Sequence, residues 1–290
     1  MGVTRPPVLA GIWYPQGAED LASTVDGYLA LAEPAGAPAG RPLLAVVPHA
    51  GHTYSGPTAG RLFGLLKPHR PETLFILAPN HRVALTHLAV SGAEAFATPL
   101  GHVTVDTARV NQLADHPLFR VDNDAHAPEH AVEILLPFLQ RLWPDAPPAI
   151  VPVLVPNLPP TALREAGHHL AAQVDPSCLL LVSSDFTHFG DAFGFNPFHR
   201  DIPGEIERLD SGAILRILAG DGDGLLAYGV DTGITMCGLN ATAVALTGGL
   251  PDGYEAALID YSRSGDRDDD YAHSVSYAGI LITDGKAAHD

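Results

Sequence analysis

Three apolar runs in this sequence each end in a turn that carries imidazole. LLAVV (43–47) runs into Pro48-His49-Ala50-Gly51-His52, TLFILA (73–78) into Pro79-Asn80-His81, and CLLLVSS (178–184) into Asp185-Phe186-Thr187-His188. A turn that only connects elements has no need of imidazole, whereas the neutral ring is a general ligand for first-row metals and a proton carrier near neutral pH. Two histidines and one anionic ligand would leave coordination positions open for water, substrate or oxygen. Cys237, in GVDTGITMCGLNATAVAL, is the internal candidate for the anion. A helix expected to start just after it would favour the thiolate, although a small buried apolar residue fits the same setting. Cys178 opens an apolar run and reads as core. Asp185 stands three residues before His188, and a carboxylate that orients an imidazole suits it to general acid/base work. His52, Tyr54 and His130 are further pocket candidates. His130 lies between Glu129 and Glu133 in EHAVEILLPFLQ, where the two acids suit the first turn of a helix but an imidazole gains nothing from its dipole.

The elements that must position these residues are legible as patterns. Near-continuous apolar runs at 43–47, 73–78, 149–155, 178–184, 256–260 and 274–283 read as strands covered on both faces. Segments 18–32, 56–67, 129–143, 161–174 and 205–220 space apolar residues three and four apart and read as helices. Their alternation predicts one layered α/β/α domain over 1–290 with a mainly parallel or mixed central sheet. In such sheets ligands collect beyond the carboxyl ends of the strands, so the three imidazole turns are expected to meet. Segment 31–42 reads as a short linker, 185–204 as a long functional loop and 260–274 as an exposed polar connection.

Composition narrows the function classes. The chain has 290 residues and a formal net charge of -17 without a basic run, which argues against nucleic acid and anionic membrane surfaces as partners. No stretch has the length of an apolar membrane span, the start does not read as a secretory signal, and two cysteines make no disulfide framework; a cytoplasmic protein is expected. Of the fifteen histidines, His69, His87, His102, His116, His126, His168, His169, His199 and His289 lack a partner pattern and read as solvent-facing or structural.

Eight blocks, in order, carry a resemblance: VVPHAGHTYSGPTAG, FILAPNHRV, ATPLGHVTVD, PEHAVEILLPFLQRLWP, VPVLV, VSSDFTHFG, TMCG and SYAGIL. Together they resemble the Memo family, whose bacterial and archaeal members are called AmmeMemoRadiSam system protein B. The resemblance implies a fold similar to class III extradiol dioxygenases, which use non-haem Fe(II) and O₂ to open aromatic diol rings. It places metal-site positions at His49, His81 and Cys237 and the acid/base histidine at His188, with Asp185 beside it. The dioxygenases carry a glutamate where this pattern has the cysteine, a softer ligand that can itself be oxidised. The family turn often has a tyrosine where this chain has His52. The expectation is therefore a metal-dependent oxidoreductase, with Fe(II) as metal and Cu or Zn as alternatives, acting on a small aromatic or heteroaromatic substrate with O₂. The alternatives are a metal-binding, protein-interaction protein on the same fold and, more weakly, a zinc hydrolase.

Overall fold

The computed structural model describes residues 2–33 and 35–286; His289 lies outside them. The N-terminal segment holds β1 (Thr4–Arg5) and leads to α1 (Ala18–Leu29), β2 (Pro42–Val47), α2 (His52–Leu66) and β3 (Thr73–Pro79). Short elements follow: β4 (Leu88–Val90), β5 (Ala95–Thr98), β6 (Gly101–Thr104), α3 (Thr107–Ala114), β7 (Phe119–Val121) and α4 (Asn123–His126). The chain continues through α5 (Leu136–Leu142), β8 (Ala149–Val155), α6 (Pro160–Ala171), β9 (Cys178–Ser183) and β10 (His188–Gly190). It closes with α7 (Ile202–Leu218), α8 (Gly222–Thr232), α9 (Leu239–Leu246), β11 (Glu255–Arg263), α10 (Ser264–Asp268) and β12 (His273–Thr283).

The main sheet runs β10-β12-β2-β9-β3-β8-β4-β7, with β11 paired to β12. Its centre, β2-β9-β3-β8, is parallel, while β12 and β4 flank it antiparallel, so the sheet is mixed. The central strands are buried on both faces, as their unbroken apolar runs require. The helix α2 packs on β2, β11 and β12 with α1 and α5 outside it; α9 packs on β3, β8 and β9 with α6 and α8 outside it. A smaller sheet, β1-β5-β6, draws the N-terminal segment against the rest. Among the described residues no helix is long and apolar enough to cross a membrane.

Four expectations are corrected. The second helix starts at His52 rather than 56 and runs through Pro57, which cannot donate to the Thr53 carbonyl four residues back. The Arg267 guanidinium of α10 takes that carbonyl instead, so the helix tolerates its proline. Segment 129–143 is not one helix: Glu129 to Val132 lie outside regular structure, a single 3₁₀ turn spans Glu133–Leu135, and α5 follows. The carbonyls that would have continued the helix are taken elsewhere, Glu129 O by Arg5 and Ala131 O by Ser183. Segment 260–274 is no simple connection, since β11 extends to Arg263 and α10 follows. The loop after β9 is in part regular, because β10 pairs with β12.

Candidate metal centre

The strands β2, β9 and β3 are adjacent and parallel, with Val47 beside Ser183 and Val182 beside Leu77, so their carboxyl ends share one edge. His49, Asp185 and His81 each follow such an end, which is why residues far apart in sequence converge. The ligand atoms of His49, His81 and His130 lie within 4.8 Å of one another. His130 stacks on His81 with ring centres 4.8 Å apart. Cys237 Sγ lies 3.3 Å from His49 Nε2, on the opposite side of that ring from Ser183.

Hydrogen bonding fixes how the first two imidazoles face. Ser183 Oγ spends its one proton on the Ala131 carbonyl (2.6 Å) and so accepts from His49 Nδ1 at 2.8 Å. The His49 Nε2 lone pair is thereby left toward Cys237. The His81 Nδ1–H donates to Glu129 Oε1 (3.0 Å), and the His81 backbone N–H donates to Glu129 Oε2 (2.7 Å). The same Oε1 accepts from the backbone N–H groups of His130 (2.8 Å) and Ala131 (3.1 Å). Two rings thus turn one nitrogen inward with the other held from behind, an arrangement that orients metal-ligating histidines.

The electrostatics agree. Burial, reinforced by the neighbouring His81, holds His49 well below its ordinary range, and burial with His49 beside it brings His130 down to about 3, so both rings are neutral. Burial alone would raise the Glu129 carboxyl, yet its hydrogen bonds and proximity to His81 bring it down to about 2. Asp185 goes the other way: burial raises it although it accepts from the backbone N–H groups of His49 (2.7 Å) and Ala50 (3.2 Å). The expected thiolate at Cys237 is corrected. The sulfur does sit just before α9, but burial and the Asp185 carboxylate raise the thiol far above its ordinary range. A cation would have to draw the proton off. Gly238 lets Cys237 come this close, because a Cβ there would run into the Ser184 side chain.

His188 is oriented differently from the sequence expectation. Its Nδ1 lies 3.0 Å from the Phe186 carbonyl and 3.1 Å from the Thr235 carbonyl, so that nitrogen donates to the backbone and Nε2 faces away from these carbonyls. Asp185 is spent on the backbone of the His49 turn instead; His188 is near enough to influence both Asp185 and His49. The turn carrying His188 is anchored by buried Asp210, which accepts from the Thr187 hydroxyl (2.6 Å), the Tyr261 hydroxyl (2.7 Å) and the Ser276 hydroxyl. His52 points away from the cluster: it donates to the Ile134 carbonyl (2.9 Å) and packs among Tyr14, Tyr28 and Phe138. Tyr54 is exposed, with the Arg267 guanidinium 5.5 Å from its ring centre. Cys178 is buried in β9, as expected of core.

Sequence reading took Glu129 for a helix-dipole acid and missed Ser183 and Trp13, whose indole meets the His130 ring edge-on at 4.6 Å. The Ser-Ser before Asp185, at the end of an otherwise apolar strand, was the available signal for Ser183.

A family model described as Memo-like protein matches residues 5–281. The chain belongs to the Memo family. A MEMO1 family protein of Methanopyrus kandleri is 31% identical, with 97% of this chain and 99% of the relative covered. The protein memo-1 homolog of Caenorhabditis elegans is also 31% identical, over 96% of this chain and 83% of its own. A MEMO1 family protein of Thermoplasma volcanium is 29% identical over 96% and 97%. Among solved structures, an uncharacterized protein of Escherichia coli K12 superposes with a TM-score of 0.53 at 16% identity, covering 83% of this chain and 99% of its own. That likeness concerns the fold alone. The Memo-like match spans every residue of the centre, from His49 to Cys237.

Proposed function

We propose that this Memo family protein is a metal-dependent oxidoreductase whose centre is held by His49 and His81, with Cys237 and His130 completing the donor set. The observation that carries the reading is the convergence of three imidazoles within 4.8 Å, with a sulfur 3.3 Å from His49. The donors fit a first-row cation: two rings have their Nδ1 atoms held by Ser183 and Glu129, and mixed nitrogen and sulfur ligation suits Fe(II), with Cu and Zn as alternatives. Fe(II) held there would supply the redox chemistry that couples a small aromatic or heteroaromatic substrate to O₂. His188, whose Nδ1 is held by two backbone carbonyls, would take a proton from a phenolic hydroxyl at Nε2 and return it. Asp185 fixes the His49 turn, and the half-exposed His81 side is the approach from solvent.

Anaerobic Fe(II) titration followed by O₂ uptake with a panel of catechols and heteroaromatics tests this. One iron per chain is expected in the wild type and in Cys178→Ala, with strong losses in His49→Ala and Cys237→Ala. Substrate-dependent O₂ uptake should disappear in His188→Ala while iron stays bound. A wild type that takes up no iron, copper or zinc would sink the metal reading. Tight binding without uptake of O₂ on any substrate would favour the second reading, a metal-binding interaction protein, which the cysteine in place of the dioxygenase carboxylate supports.

A further inference from the structure

The N-terminal segment lies outside the central sheet, yet its contacts lead to one side of the metal centre. Arg5, buried in the two-residue strand β1, directs one guanidinium at three carbonyls of one short stretch of backbone: Nε donates to the His126 carbonyl (3.2 Å), and Nη2 to the carbonyls of Ala127 (3.4 Å) and Glu129 (2.5 Å). Its Nη1 pairs with Glu133, which is fully buried. Glu133 in turn accepts from the backbone N–H groups of Val8 (2.9 Å) and Leu9 (2.9 Å) and from the Tyr14 hydroxyl (2.6 Å). Trp13 lays its indole edge-on to His130, and its carbonyl accepts from the His52 N–H at 2.9 Å. Glu129 and His130 therefore sit in a non-helical turn clamped from one side by Arg5 and continued on the other into Glu133.

We propose that Arg5 and Glu133 are positioning residues of the metal centre, through which the N-terminal segment fixes Glu129 and, by way of it, the rings of His81 and His130. The inference rests on the metal reading above for its purpose, but its geometry can be tested without metal. A buried ion pair contributes little net stability relative to apolar packing, so stability alone is a weak reason for this one. The residue type is informative as well. Three carbonyls and a carboxylate around one cation call for the planar fork of arginine, and the single ammonium of lysine cannot reach all four.

The test is ¹H–¹⁵N spectroscopy of the imidazoles in the metal-free, ¹⁵N-histidine-labelled full chain, at one fixed pH, for wild type, Arg5→Lys, Glu133→Gln and the milder Tyr14→Phe. Assignments come from His81→Gln and His130→Gln. Displaced signals of His81 and His130 are expected in Arg5→Lys and Glu133→Gln, with those of His188 and His169 in place, since these two are held by other carbonyls. Tyr14→Phe, which removes one donor to Glu133 and leaves the ion pair, should give the same pattern at smaller amplitude and serves if the other variants fail to fold. A merely structural clamp would lower the melting temperature and leave His81 and His130 unmoved, and that result would overturn the inference. Co(II) titration adds the link to metal: Arg5→Lys is expected to bind about tenfold more weakly than wild type, the lower end of outer-shell effects. A wild type that ignores Co(II) would count against the metal reading, while the imidazole spectra would still decide the positioning role.

Discussion

The two sides of the centre hold their histidines by different means. On the β3 side a buried carboxylate, Glu129, accepts directly from the His81 ring and is kept ionised, down to about 2. On the β2/β9 side the ring of His49 meets a neutral hydroxyl, Ser183, and the nearby carboxylate of Asp185 is turned onto backbone N–H groups, with burial raising it. A charge behind a ligand ring makes the ring a stronger donor, whereas a hydroxyl only orients it. The centre thus pairs one reinforced imidazole with one that is merely aimed, and the sulfur stands beside the ring backed only by a hydroxyl.

That contrast can be broken most sharply at Glu129. Glu129→Gln should weaken Fe(II) or Co(II) binding by about ten- to a hundredfold, because the replacement keeps the shape and removes the charge behind His81; an affinity equal to wild type in a metal titration would abolish the asymmetry. The pH dependence of stability follows from the same carboxyl. A group held below its unfolded value of about 4.5 contributes stability that is fully present above that pH and is lost as the pH falls toward 2. Denaturant unfolding between pH 5 and 2.5 should therefore fall less steeply for Glu129→Gln than for wild type, a difference on the order of 2–3 kcal/mol. Ser183→Ala is expected to cost about 1–2 kcal/mol in the same assay, since it strands both the His49 Nδ1–H and the Ala131 carbonyl, and to reduce metal affinity by less than the Glu129 variant. Asp185→Asn should be mildest for stability. Its carboxyl is raised, so ionisation opposes folding as pH climbs past the unfolded value of about 3.8, and the amide oxygen can still accept from His49 and Ala50. A change within about 1 kcal/mol at pH 7 is expected; a large loss would mean that the negative charge itself is needed there.

The strands were legible because β2, β3 and β9 are buried on both faces and must be apolar throughout. Their ends were legible because an imidazole breaking such a run is conspicuous. His188 stood out in the same way, although what holds its Nδ1 is the Phe186 and Thr235 carbonyls rather than Asp185. The segment holding Glu129 and His130 was misread as a helix start, since its apolar spacing is helical and an acid there suits the dipole. His52 lies in the same turn as His49, and no local pattern says that one faces the centre and the other the Ile134 carbonyl.

The sequence by itself determined the layered α/β plan, the strand ends that bear His49, His81, Asp185 and His188, and the presence of a thiol just before a helix, because each depends on burial periodicity and local chemistry. Only the tertiary structure decided what stands behind each ring. Arg5 reaches residues more than a hundred positions away, Glu129 reaches His81 across 48, and Ser183 reaches Ala131 across 52. Burial of the Cys237 sulfur beside Asp185 reverses the thiol shift expected from the helix. Such pairings are set by which strands lie side by side, and a linear pattern contains no record of that order.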